Sequence, residues 1–187
     1  MGGNTRRITL VAVLAGSLTL VASSLLHGAS TGVDPFAAFG VTHVAPGAQE
    51  TAFDLKALDG ATLGSQELAG KVVVLNFWAT WCGPCKEEMP SLARLQSQFD
   101  PAQVRVVTVT TDLYPQGIKQ FLDHLGINLP VLFDEDQELT RRFMVRGLPT
   151  TVLIGRDGHA IGRAVGPRSW DSRDSVALLQ QVLDHQP

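Results

Sequence analysis

The sequence predicts an α/β domain whose sheet mixes parallel and antiparallel strands, and three observations carry that prediction. Residues 71–78 (KVVVLNFW) and 104–109 (VRVVTV) are apolar, β-branched runs of strand length, the pattern of central strands covered on both faces. Behind the first run, Met89, Leu92, Leu95 and Phe99 recur at three- and four-residue steps, which is a helical period. Near the end, residues 150–154 and 160–165 flank an Arg156-Asp157-Gly158 turn and read as an antiparallel hairpin. Strands alternating with helices and finished by a hairpin give a mixed sheet flanked by helices.

In chain order, residues 1–7 carry Arg6 and Arg7 and no acid, and residues 8–26 contain no charged side chain. Nineteen apolar and small residues behind two arginines read as a membrane-targeting segment within residues 1–29, either an uncleaved inner-membrane anchor or a cleaved signal. The positive-inside rule then puts the rest of the chain outside the cytoplasm, in the periplasm or its equivalent. Residues 30–50 are rich in Gly, Pro, Ala and Thr, with Pro35 and Pro46 set to interrupt a helix, and are expected to be a linker.

The folded domain is expected over residues 51–187. It opens with an N-terminal β-hairpin, because Phe53 and Leu55 alternate onto one face before an Asp59-Gly60 turn. The 71–78 strand delivers Cys82 to its C-terminal edge. Pro84 suits the first turn of a helix, so the helix begins at Cys82-Gly83-Pro84-Cys85, and Pro90 falls inside it. A helical segment at 116–125 ending at Gly126, a short strand at 131–133, a short helix at 138–144 and a closing helix at 171–184 complete the order.

Composition narrows the function classes. The formal net charge is −3, or −5 with Arg6 and Arg7 set aside, which argues against a basic nucleic-acid footprint. The two cysteines, Cys82 and Cys85, leave none for a structural disulfide elsewhere, so redox chemistry belongs to this pair. A zinc site would need two further ligands at suitable spacing, whereas the five histidines stand singly; no metal is expected. A structural staple closing so short a loop would stabilise the fold little.

A thiolate is the species that attacks a disulfide, and a free cysteine at a pKa of about 8.5 holds little of it at neutral pH. The unpaired N–H groups and positive dipole end of a helix N-terminus favour the anion. Cys82 at that terminus is the expected exposed nucleophile, and Cys85, one turn further in, the resolving thiol. Glu88 lies three residues beyond Cys85 on the same helical face, where a carboxyl raised by partial burial would move the Cys85 proton. The alternative for Glu88 is a solvated carboxylate favouring the helix's first turns.

The string Phe77-Trp78-Ala79-Thr80-Trp81-Cys82-Gly83-Pro84-Cys85-Lys86, with Gly147-Leu148-Pro149-Thr150 downstream, resembles the thioredoxin superfamily over residues 50–187. The opening hairpin, the phrase Leu68-Ala69-Gly70-Lys71 running into the central strand, and an inserted βα unit near residues 112–136 resemble its TlpA/ResA-like branch of anchored or exported thiol–disulfide reductases. The resemblance implies a thioredoxin-like sheet, a cis bond before Pro149, and substrate contacts from Trp81, Gly83, Pro84, Leu148 and Thr150. The alternative for Pro149 is a trans proline opening an edge strand, and for Trp81 a core position. The Glu of a Cys-x-x-Cys-x-x-Glu pattern in that branch matches Glu88, while thioredoxin's buried aspartate is replaced here by Asn76.

The expected function is therefore an envelope thiol–disulfide oxidoreductase with no cofactor beyond the Cys82–Cys85 disulfide. Its expected partners are client proteins with cysteine pairs, by resemblance apocytochrome c or a copper centre, and a transmembrane thiol electron donor. A dithiol oxidase is the redox alternative. A Cu(I) chaperone would want clustered Met or His ligands, and a thiol peroxidase a lone peroxidatic cysteine.

Overall fold

The computed structural model describes residues 1–2, 34–45, 51–112, 114 and 116–185. The apolar segment at 8–26 lies outside the described residues. Among the described residues no helix is long and apolar enough to cross a membrane.

The elements in order are α1 (Pro35–Ala38), β1 (Thr42–His43), β2 (Asp54–Ala57), β3 (Thr62–Gly64), a 3-10 turn (Ser65–Leu68), β4 (Val72–Trp78), α2 (Gly83–Ser97), β5 (Val104–Thr110), α3 (Ile118–Leu125), β6 (Val131–Phe133), α4 (Glu138–Arg142), β7 (Thr150–Ile154), β8 (Ala160–Val165) and α5 (Arg173–His185). The strands of the described residues form one sheet in the order β1-β8-β7-β4-β5-β6-β2-β3. β4, β5 and β6 run parallel, and every other neighbouring pair is antiparallel. This is the mixed, thioredoxin-like sheet, with the β2–β3 hairpin at one end and the α3–β6 unit inserted after β5.

Alternation along β4 divides the core. Val72, Val74 and Trp78 pack with Met89, Leu92 and Leu95 of α2 and with Leu178 and Leu179 of α5. Val73, Leu75 and Phe77 face the opposite layer with Val107, Val109, Leu139 and Phe143. Each such side chain contributes roughly 1.5–3 kcal/mol on burial, so β4 is held from both faces. Asn76 shares the side of β4 that carries α2.

Residues 34–45, expected to be part of a linker, instead fold onto the sheet. Pro35 starts α1 rather than breaking it, because it occupies the first turn behind Asp34, whose carboxylate caps the Phe36 N–H at 3.1 Å. β1 then pairs with β8 through Thr42↔Arg163 and His43↔Gly162. Phe36 and Val41 are buried. Their seat is Gly162, where an added Cβ would stand 2.7 Å from Val41 Cγ1 and 2.9 Å from Phe36 Cε1. Residues 46–50 lie outside the described residues.

Candidate active site

β4 ends at Trp78, whose carbonyl accepts from the Thr111 N–H at 3.0 Å, so the chain leaving β4 is tied to the chain leaving β5. One step on, Asp112 accepts from the Thr80 N–H and hydroxyl, both at 2.9 Å, and from the Thr110 hydroxyl at 2.7 Å. These bonds fix the turn that presents Trp81 and Cys82.

Cys82 is the N-cap of α2, and its sulfur accepts from the Cys85 N–H at 3.3 Å. Pro84 sits in the first turn, where its missing N–H costs nothing. The first turn carries no acid, so no side-chain charge there cancels the positive end of the helix dipole. Cys82 and Cys85 are joined as a disulfide with a Cα–Cα distance of 5.3 Å. Cys82 is 6% exposed and Cys85 1%. Cys82 is thus the more accessible sulfur, but it is far less exposed than a bare helix terminus would suggest.

A groove of about 630 Å³ opens at this end of α2. Trp81, Cys82, Gly83 and Pro84 line one wall, and Trp81 is 71% exposed, a rim position and not a core one. Gln137, Thr140, Val145, Arg146, Gly147 and Leu148 line the other. Gln137 and Met144, which bracket α4, both hold left-handed backbone, with φ of 55° and 50°. The Leu148–Pro149 bond is cis, and the Pro149 carbonyl accepts from the Gly166 N–H at 2.9 Å. Pro149 itself is buried. Thr150 is buried as well, does not line the groove, and donates its hydroxyl to the Gly147 carbonyl at 2.7 Å, bracing the wall from behind.

Glu88 lies one turn beneath the disulfide and is 3% exposed. Asn76 Nδ2 donates to its Oε1 at 2.7 Å and the Arg168 N–H to its Oε2 at 2.8 Å. Asn76 is braced in turn on the Thr151 hydroxyl at 2.9 Å. Burial pushes the Glu88 carboxyl up to about 7 against the opposing pull of the Arg168 N–H. The Trp170 indole N–H pulls in the same lowering direction without reaching hydrogen-bonding geometry. Burial wins because two neutral donors replace bulk water around a carboxylate. The carboxyl can therefore hold or release a proton near neutral pH.

Glu88, Cys82 and Cys85 were legible from spacing on one helix. Asp112, Arg168 and the Gln137–Val145 wall were not, since each meets the site from a distant part of the chain and stands in no motif. Asp112 offered one signal, an acid just past the C-terminal edge of a central strand, where α/β sites gather. Among the described residues no group of three His, Cys, Asp or Glu side chains could hold a metal ion.

Comparison with known proteins agrees with this geometry. A family profile described as the AhpC/TSA family matches residues 46–161. ResA of Bacillus subtilis, a thiol–disulfide oxidoreductase, is 33% identical over 127 residues, covering 68% of this chain and 71% of that protein. The match to ResA of Bacillus anthracis, also 33% identical, spans 65% of that protein's length. Among solved structures, a thiol:disulfide interchange protein of the thioredoxin family from Chlorobium tepidum superposes with a TM-score of 0.63 at 29% identity, over 73% of this chain and 99% of that one. The chain belongs to the AhpC/TSA family, as a thioredoxin-like protein related to the ResA thiol–disulfide oxidoreductases.

Proposed function

We propose that this protein is a cell-envelope thiol–disulfide oxidoreductase that reduces disulfides in client proteins. The observation that carries the reading is a bonded Cys82–Cys85 pair at the open end of α2, facing a groove, with a protonatable carboxylate one turn below.

In the reduced protein, the Cys82 thiolate attacks one sulfur of a client disulfide. A Cys82–client bond forms, the client's S–S bond breaks, and the leaving client thiolate takes a proton from solvent. Cys85 then gives its proton to ionised Glu88 and attacks Cys82 Sγ, expelling the second client sulfur as a thiolate. Two electrons have passed to the client and the protein is left as the disulfide. Glu88 suits the transfer because a carboxyl near 7 is an adequate base for a thiol and an equally ready donor on the return step.

The Gly83-Pro84 dipeptide favours a reducing poise, as in thioredoxin at about −270 mV, over the oxidising end near −120 mV. In an oxidising compartment such a reductant needs a dithiol donor across the membrane, and the 8–26 segment is suited to hold the domain beside it in the inner membrane. Clients of the cytochrome c maturation or copper-centre type fit this placement. Two sulfurs already bonded to each other speak against a peroxidase built on one lone thiol.

Equilibration of the purified protein with glutathione buffers tests the direction of electron flow. A potential below about −200 mV is expected, and one above about −150 mV would make the protein a dithiol oxidase.

A further inference from the structure

Glu88 is held by a loop that is itself held by the N-terminal segment. Arg168 gives its backbone N–H to Glu88 Oε2, and its guanidinium is spread over four backbone carbonyls. Nη1 donates to Val165 O at 2.9 Å and to Gly166 O at 2.8 Å, at the exit of β8. Nε donates to Phe39 O at 3.1 Å and Nη2 to Gly40 O at 2.6 Å, in the turn between α1 and β1. Two residues on, the Phe39 ring packs edge-on against Trp170 with centroids 5.0 Å apart. The Ser91 hydroxyl completes the seat, bonding the Glu88 and Arg168 carbonyls and accepting from the Trp170 N–H. A guanidinium is suited to this, because its planar fork can satisfy several acceptors with little loss of side-chain freedom per bond.

We propose that Arg168 is a positioning residue for Glu88: by locking the α1–β1 turn to the loop after β8, its guanidinium holds its own backbone N–H on the carboxylate, so that docking of residues 34–44 sets how readily Glu88 takes up a proton. The inference rests on the reading of Glu88 as the proton carrier for Cys85.

The groups around Glu88 give the sign. From β4 the neighbour is the neutral Asn76 amide, from α2 it is Cys85 one turn earlier, and from the loop they are the neutral Trp170 indole and Arg168, which supplies both a donated N–H and the positive charge. Loosening the clamp withdraws support from the ionised carboxylate, so Glu88 should hold its proton to higher pH. Gly40 offers a way to disturb the clamp and keep the charge. Its φ is +69°, and a Cβ there would lie 3.2 Å from Arg168 Nη2.

The test uses the full-length chain and follows the Glu88 carboxyl band by infrared difference spectroscopy across pH, with Glu88→Gln identifying the band. Alongside it, the pH dependence of the single-turnover reaction of the reduced protein with oxidised glutathione is measured. Arg168→Gln should move the Glu88 midpoint upward by about one pH unit, because the guanidinium charge is lost and the retained backbone N–H is no longer held on the carboxylate, whereas Gly40→Ala isolates the second effect. Gly40→Ala should move it the same way by less, with Arg168 still present. In a Glu88→Gln background, adding Arg168→Gln should leave the glutathione pH profile unchanged. A folded Arg168→Gln with a lower unfolding midpoint and an unmoved carboxyl titration would overturn the proposal, reducing Arg168 to a structural residue. Should Arg168→Gln not fold, an unmoved titration in Gly40→Ala overturns it equally. If Glu88→Gln itself leaves the glutathione profile as in wild type, the proton-carrier reading falls, while the infrared midpoints still decide what Arg168 does.

Discussion

The Asn76 amide on the central strand donates to Glu88 Oε1 on the redox helix at 2.7 Å, joining the two elements at a carboxyl that is 3% exposed. A neutral donor beneath a buried acid leaves the balance with desolvation, which is why the carboxyl rises to about 7. In the unfolded chain the same group titrates near 4.5.

Stability should therefore depend on pH through this group. Between 4.5 and about 7 the folded protein holds a proton that the unfolded chain has released, so stability is full below that window and falls as pH rises through it. The loss is about 3 kcal/mol at most, at ~1.4 kcal/mol per pH unit. Denaturant midpoints of the oxidised protein from pH 4 to 8 should slope downward in wild type and be flatter in Glu88→Gln. Equal slopes would show that Glu88 titrates in the folded protein as it does in the unfolded chain.

Cys85→Ser should accumulate a mixed disulfide with a model client through Cys82, because no thiol remains one turn inside to displace it. Cys82→Ser should accumulate far less, since Cys85 is 1% exposed. Non-reducing electrophoresis of the reaction with a disulfide-bearing peptide reads both. Comparable adducts from the two variants would overturn the assignment of Cys82 as the attacking thiol, and a larger adduct from Cys82→Ser would reverse the roles.

Removing Asp112 leaves the Thr80 N–H, the Thr80 hydroxyl and the Thr110 hydroxyl without their common acceptor. Asp112→Ala should cost about 2–3 kcal/mol in unfolding free energy. Client reduction should slow as well, because the turn presenting Cys82 loses its anchor. Urea unfolding and a peptide-reduction assay separate the two effects, and a variant as stable as wild type contradicts the anchoring role.

Trp81 is 71% exposed on the groove rim, so its removal frees little buried surface. Trp81→Ala should change stability by less than about 0.5 kcal/mol. The same variant should lose about 1 kcal/mol of transition-state affinity for a protein client, read as a several-fold drop in kcat/KM. Reaction with a small dithiol reagent should be nearly unaffected. An unchanged protein-client rate would place the client contact elsewhere in the groove.

What the sequence determined by itself was local. The β4 and β5 runs, the start of α2 at Cys82, the i, i+3 spacing of Cys85 and Glu88, and the turn at Asp59-Gly60 are written in periods and caps of a few residues, which local sterics and hydrogen bonding enforce. The tertiary structure decided what meets them. Pro35 read as a breaker until Asp34 capped it and Gly162 offered a seat for Phe36 and Val41. Glu88 could be solvated or buried on spacing alone. Only burial under the closed fold made it a neutral-pH acid, against the lowering pull of the Asn76 amide on β4 and of Arg168, 80 positions away in sequence. Such contacts join positions with no shared pattern, and their energy comes from desolvation, which exists only once the faces have closed.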